Sequence, residues 1–129
     1  MKTILLEVGA GELLDRFSIL EIKARRAQSE PQGSRIRREL GDVRRAVEGA
    51  GLLASDFESV LTELRDVNSA LWEIEDDIRD CDTRHDFGAR FIDLARAVYT
   101  TNDRRSRLKR QIDDRFGSGV GEEKVYSRR

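Results

Sequence analysis

FESVLTELRDVNSALWEIEDDIRDC, running from Phe57 to Cys81, is the stretch that decides the fold. Phe57, Val60, Leu64, Val67, Leu71, Ile74, Ile78 and Cys81 alternate in steps of three and four residues. That heptad spacing predicts a long helix packed lengthwise on another helix. Ser55 with Glu58 three residues on forms a capping-box pair, so the helix is expected to start at Ser55 and to run to about Asp82.

The next apolar stripe supplies the partner. Phe91, Leu94, Ala95, Val98, Ile112 and Phe116 share one face of a helix predicted over Phe87 to Phe116, with Asp86 as its cap. Each of the two helices is expected to be roughly 42–45 Å long at the α-helical rise. The short link Thr83-Arg84-His85 between them forces an antiparallel hairpin. Facing residues then have numbers adding to about 168, which sets apolar against apolar at each level: Phe91 on Ile78, Leu94 on Ile74, Val98 on Leu71 and Ile112 on Phe57.

Two shorter helices precede the hairpin. Leu13, Leu14, Phe17, Leu20 and Ala24 form a stripe over about Glu12 to Gln28, with Ile22 off to one side. Ser29-Glu30-Pro31-Gln32-Gly33 ends that helix, and Ile36, Leu40, Val43 and Val47 mark the second, which Gly49-Ala50-Gly51 stops. Thr3 to Val8 reads as a short extended segment, expected to pair with the alternating Glu122-Glu123-Lys124-Val125-Tyr126. The expected architecture is an all-α bundle, a single helical domain over residues 1–129, in which the 55–82 and 86–116 hairpin dominates and both N-terminal helices pack against it.

The same register places a polar layer in the hairpin. Asn102, Arg105 and Lys109 fall on the inward stripe of the fourth helix, Asn102 level with Asn68 and Arg105 level with Glu63. Beside the seam of the third helix lie Leu61, Arg65, Asn68, Trp72, Glu75 and Arg79, with Glu75 and Arg79 at ion-pair spacing. Arg96, Tyr99 and Asp103 flank the layer on the fourth helix, and Asp15 and Glu21 approach it from the first. Two readings stay open. In one, the layer fixes helix register. In the other, Asn68, Trp72, Glu75, Asp76, Arg79, Arg96, Tyr99, Asn102, Asp103 and Arg105 form a ligand site for an anionic or metal-bearing molecule, because inward polar groups cost stability unless matched.

Composition narrows the field. The chain carries 24 basic and 25 acidic residues, for a net charge of −1, which removes the general electrostatic argument for nucleic acid. Arg35, Arg37, Arg38, Arg44 and Arg45 nevertheless make a basic run, read either as a solvated face or as phosphate contacts. His85 is the only histidine, so no histidine-based metal site or Ser–His–Asp triad can be built. Cys81 is the only cysteine and sits on the seam, which excludes an internal disulfide and fits a reducing cytoplasm. No stretch approaches the length of a transmembrane span, and the apolar run Ile4 to Leu6 reads as too short for a signal-peptide core, so a soluble intracellular protein is expected. Gly9-Ala10-Gly11 leaves helix amides that either serve a cap or bind an anion. Glu12-x-x-Asp15 and Glu73-x-x-Asp76 imitate one of the acidic spacings with which all-helical nucleotide pyrophosphohydrolases hold Mg²⁺.

Gly11-Glu12-Leu13-Leu14-Asp15-Arg16, Ile19-Leu20-Glu21-Ile22-Lys23, Leu71-Trp72-Glu73-Ile74-Glu75-Asp76-Asp77-Ile78-Arg79 and the segment from Phe91 to Arg105, with its Tyr99-x-x-Asn102-Asp103-x-Arg105 core, together resemble a family of short bacterial all-helical proteins without an assigned function. The resemblance extends to the closing Glu122-Glu123-Lys124-Val125-Tyr126. It implies a bacterial cytoplasmic protein associated with surface-polysaccharide or glycosyltransferase genes, and it assigns no catalytic residue. The leading expectation is a non-enzymatic adaptor that self-associates or binds a protein partner and needs no cofactor. The alternative is a Mg²⁺-dependent, carboxylate-based enzyme or a binder of a nucleotide or sugar nucleotide.

Overall fold

The computed structural model describes residues 2–117, and among them it is built from helices and turns without a strand. Four helices follow in order: α1 Ala10–Arg26, α2 Gln32–Gly49, α3 Glu58–Thr83 and α4 Ala89–Phe116, with one 3₁₀ turn, Ser55–Phe57, ahead of α3. The all-α bundle and its dominant hairpin are as expected. At 1.5 Å per residue α3 and α4 span about 39 and 42 Å.

The hairpin closes in the predicted register. Arg104 reaches Glu63 at 3.3 Å, Arg90 lies 3.8 Å from Asp77, and the Phe57 and Phe116 rings sit 6.5 Å apart at the open end. The bend is a Schellman turn. The His85 amide donates to the Asp82 carbonyl at 3.1 Å and the Asp86 amide to the Cys81 carbonyl at 2.8 Å, which puts His85 at φ 55°. Asp86 does not cap α4: its Oδ1 accepts from the Gly88 amide at 3.2 Å in a turn ahead of the helix, the N-cap is Gly88 with no side-chain hydrogen bond, and α4 starts at Ala89 rather than Phe87. The capping box at Ser55 does not form, because the chain there makes a 3₁₀ turn and no side chain caps α3.

A second Schellman turn ends α2. Leu52 donates to Val47 at 3.0 Å around Gly51, whose φ of 77° suits glycine. The turn drives Leu52 back into the core, where it is fully buried with Val47, Leu64 and Ile112. Each such side chain contributes roughly 1.5–3 kcal/mol of apolar burial.

The arrangement of the two short helices departs from expectation. α1 packs on both α3 and α4, whereas α2 packs chiefly on α1. The order is therefore α2, then α1, then the hairpin, with α1 covered on two sides. At 100° per residue Leu13, Phe17, Leu20 and Ala24 lie opposite Gly11, Asp15, Ser18 and Ile22. Phe17, Leu20, Gly11, Asp15, Ser18 and Ile22 are all buried. Ile22, off the predicted stripe, is buried for that reason. Residues 3–8 have no regular structure and are exposed, and their expected partner at 122–126 lies outside the described residues.

Candidate functional site

Asp15 is the centre of the polar layer. Its side chain points from α1 into the hairpin and is 1 % exposed. Oδ1 accepts from Asn68 Nδ2 at 2.9 Å and from Arg105 Nε at 2.9 Å, while Oδ2 accepts from an Arg105 terminal nitrogen. Lys109 Nζ stands 4.0 Å from Oδ2 and donates to Glu12 Oε2 at 2.7 Å. Asn68 Nδ2 also donates to Ser18 Oγ at 2.7 Å, and Ser18 in turn donates to the Asp15 carbonyl at 2.8 Å. A charged group out of water is stable only when paired and hydrogen-bonded. This one is met from two helices, and among the described residues every buried side-chain nitrogen and oxygen has a hydrogen-bond partner.

One turn further along α4, Asp113 Oδ1 accepts from the Gly11 amide at 2.8 Å. The anion at the start of α1 is thus a carboxylate of the chain itself, satisfying one of the free amides at the positive end of the helix. The contact requires glycine, since a β-carbon at Gly11 would lie 2.3 Å from the Lys109 carbonyl oxygen.

The ten expected site residues do not meet in one place. Asn68 and Arg105 join Asp15. Asn102, half-buried, offers Oδ1 to Arg105 at 3.5 Å and does not pair with Asn68, because α1 inserts Asp15 and Ser18 between the two levels. Asp103 is half-buried on the flank of the layer. Glu75, Arg79, Arg96 and Tyr99 are exposed. Glu75 lies two turns beyond Asn68, about 10 Å along α3, and among the described residues it forms no ion pair with Arg79. Asp76 stands with Glu73 beside Arg26 of α1, whose guanidinium lies 3.7 Å from Asp76 and 5.5 Å over the Trp72 ring. Both Glu-x-x-Asp pairs therefore end on cations: Glu12 on Lys109, Asp15 on Arg105, and Glu73 with Asp76 on Arg26. No cluster of three or more histidine, cysteine, aspartate or glutamate side chains able to hold a metal occurs among the described residues. Cys81 is buried on the seam at 1 % exposure.

No family model, curated protein or solved structure matches this chain. The geometry stands on its own, and no helix among the described residues is long and apolar enough to cross a membrane.

Sequence reasoning brought Asp15 and Lys109 to the layer, singled out Glu12 only within a Glu-x-x-Asp spacing, and missed Ser18 and Asp113. Ser18 follows Asp15 by three residues and Asp113 follows Lys109 by four, so helical spacing from the known members would have found both. Glu21 forms a two-pronged pair with Arg65, at 2.9 and 3.0 Å.

Among the described residues, hollows also open outside the layer. One, of about 460 Å³, runs along the hairpin between Asp66, Ala70, Thr101 and Arg107. Another, of about 520 Å³, opens between the end of α1 and the start of α2, with Trp72 on its wall. At the start of α2 the Ser34 hydroxyl, and then Arg37, hold the Glu30 carboxyl below the ordinary glutamate range. Glu30 accepts from Arg37 at 2.6 Å.

Proposed function

We propose that this chain is a non-enzymatic helical adaptor that works through the distal part of its hairpin. The observation that carries the reading is the uneven burial of α4. Its buried residues, Leu108, Lys109, Ile112 and Asp113, all lie in the half that faces α1, and none lies before Leu108. Over the first half, Ile92 is 50 % and Tyr99 62 % exposed, and Phe87 in the bend is 52 % exposed. Two helices share one mutual seam, so apolar side chains beside that seam need a third element to cover them. Within the described residues α1 ends at Arg26, near Glu73, and leaves the rest of the hairpin as a two-helix arm.

The polar layer supports the same reading from the opposite side. Its carboxylates and cations are spent on one another and hold α1 to the hairpin, which makes a rigid base for the arm. The sequence resemblance supports a bacterial cytoplasmic setting beside the enzymes of surface-glycan assembly. The first partner to test is a second copy of the chain, whose arm presents the same stripe and so can cover it symmetrically.

Sedimentation equilibrium across the micromolar range tests this. A dimer that falls to a monomer in the Ile92→Glu, Tyr99→Glu double variant is expected, with unchanged helix content by circular dichroism. A strict monomer for the unaltered chain at every concentration would overturn self-association.

A further inference from the structure

We propose that the hollow between α1 and α2 binds a small organic phosphate whose planar ring lies against Trp72. The site is built from three helices. Lys23 and Arg26 come from the last turn of α1, Arg35 and Ile36 from the beginning of α2, and Trp72 from α3. Its volume, about 520 Å³, falls within the roughly 300–1,000 Å³ typical of small-molecule pockets.

Cations outnumber acids in the lining of the hollow. Three of its lining side chains are cations, and the acid among them, Glu39, already accepts from Arg16 at 2.5 Å. Arg26 is engaged by Glu73 and Asp76. Lys23 and Arg35, by contrast, form no ion pair among the described residues, on a chain where Arg16, Arg37, Arg44 and Arg45 each hold a carboxylate. The negative end of α1 accounts for Lys23 and Arg26. It does not account for Arg35 at the start of α2, where the Glu30 carboxylate accepts from the Ser34 amide and from Arg37, and Arg35 forms no ion pair among the described residues. An anion placed between Lys23 and Arg35 gains charge-assisted hydrogen bonds from both.

The walls select the rest of the ligand. Trp72 is half-buried, lies off the hairpin seam and carries the Arg26 guanidinium over its ring. Ile36 adds an apolar surface to the lining. A flat ring joined to a phosphate matches an aromatic and aliphatic wall beside a cation pair. The binding uses the chain's own cations, so it requires no divalent metal. It is also independent of the hairpin arm, which lies elsewhere on the fold.

Trp72 is the only tryptophan in the chain, so its fluorescence reports on this wall alone. The test titrates the full chain with adenosine diphosphate, pyrophosphate and adenosine, in EDTA at about 0.15 M salt, where diffuse charge effects are screened. Expected is saturable quenching by adenosine diphosphate with a dissociation constant below about 1 mM, at least tenfold tighter than pyrophosphate. Arg35→Gln should weaken it at least tenfold with unchanged helix content, since Arg35 is exposed and holds up no other residue. Arg104→Gln, on the hairpin, should leave it unchanged. Absence of saturable quenching by all three probes overturns the site. Equal binding of pyrophosphate and adenosine diphosphate overturns the role given to Trp72, and equal losses in Arg35→Gln and Arg104→Gln reduce the effect to bulk charge.

Discussion

Asp15 on α1 and Arg105 on α4, 90 residues apart in sequence, meet edge to edge, with Nε of the arginine 2.9 Å from Oδ1 and a terminal nitrogen on Oδ2. This pair does more than close a charge. It joins the helix in the middle of the fold to the far strut of the hairpin, at a level where both otherwise offer polar side chains.

Removing one partner takes the nearest counter-charge from the other in a largely dry place. Asp15→Leu is expected to cost about 3 kcal/mol, the low end for a broken buried pair because Arg105 keeps 28 % of its side chain in water. Asp15→Leu combined with Arg105→Met should cost less than the sum of the two single changes. Urea unfolding of the four proteins measures the coupling, and strictly additive losses would mean that the pair contributes nothing.

The two amides of the layer are predicted to behave differently. Asn68 is buried and serves both Asp15 and Ser18, so Asn68→Leu leaves two acceptors short and should cost roughly 1–3 kcal/mol. Asn102 is half-buried, with one long contact to Arg105, and Asn102→Leu should stay within about 1 kcal/mol of the unaltered protein. Equal losses in chemical denaturation would contradict this account of the layer.

Gly11 inverts an ordinary rule. Exchanging glycine for alanine inside a helix normally stabilises it by about 1 kcal/mol. Here the added carbon would meet the Lys109 carbonyl oxygen at 2.3 Å and force α1 away from α4, weakening the Gly11–Asp113 hydrogen bond as well. A loss of roughly 2–4 kcal/mol is expected. A melting temperature at or above that of the unaltered chain would show that the two helices do not approach so closely.

His85 occupies the left-handed position of the Schellman turn, where a β-carbon is disfavoured and glycine is usual. His85→Gly should raise stability by about 0.5–1 kcal/mol, partly offset by loss of the ring contact with Phe87, whose centroid lies 6.4 Å away. Thermal unfolding followed by circular dichroism checks the sign.

Much of this was legible before any coordinates. Phe57 to Cys81 and Phe91 to Phe116 repeat with a period that only a packed helix uses, and the short link between them leaves one way to fold back. Those two facts alone determined the hairpin, its register and where its two helices end, because they depend on contacts between near neighbours and on one turn, whereas the helix starts moved to Glu58 and Ala89. The face of α1 that meets the hairpin was not legible as a stripe. It consists of Gly11, Asp15, Ser18 and Ile22, which keep the helical spacing but share no apolar character. Which cations would neutralise Asp15, and that Asp113 would serve the start of α1, depended on pairs separated by 90 and 102 residues. Hydrophobic periodicity records which side of a helix is buried. It carries no information on which other helix buries it, and hydrogen bonds and charge pairs across helices are settled only when the tertiary packing brings their particular atoms within reach.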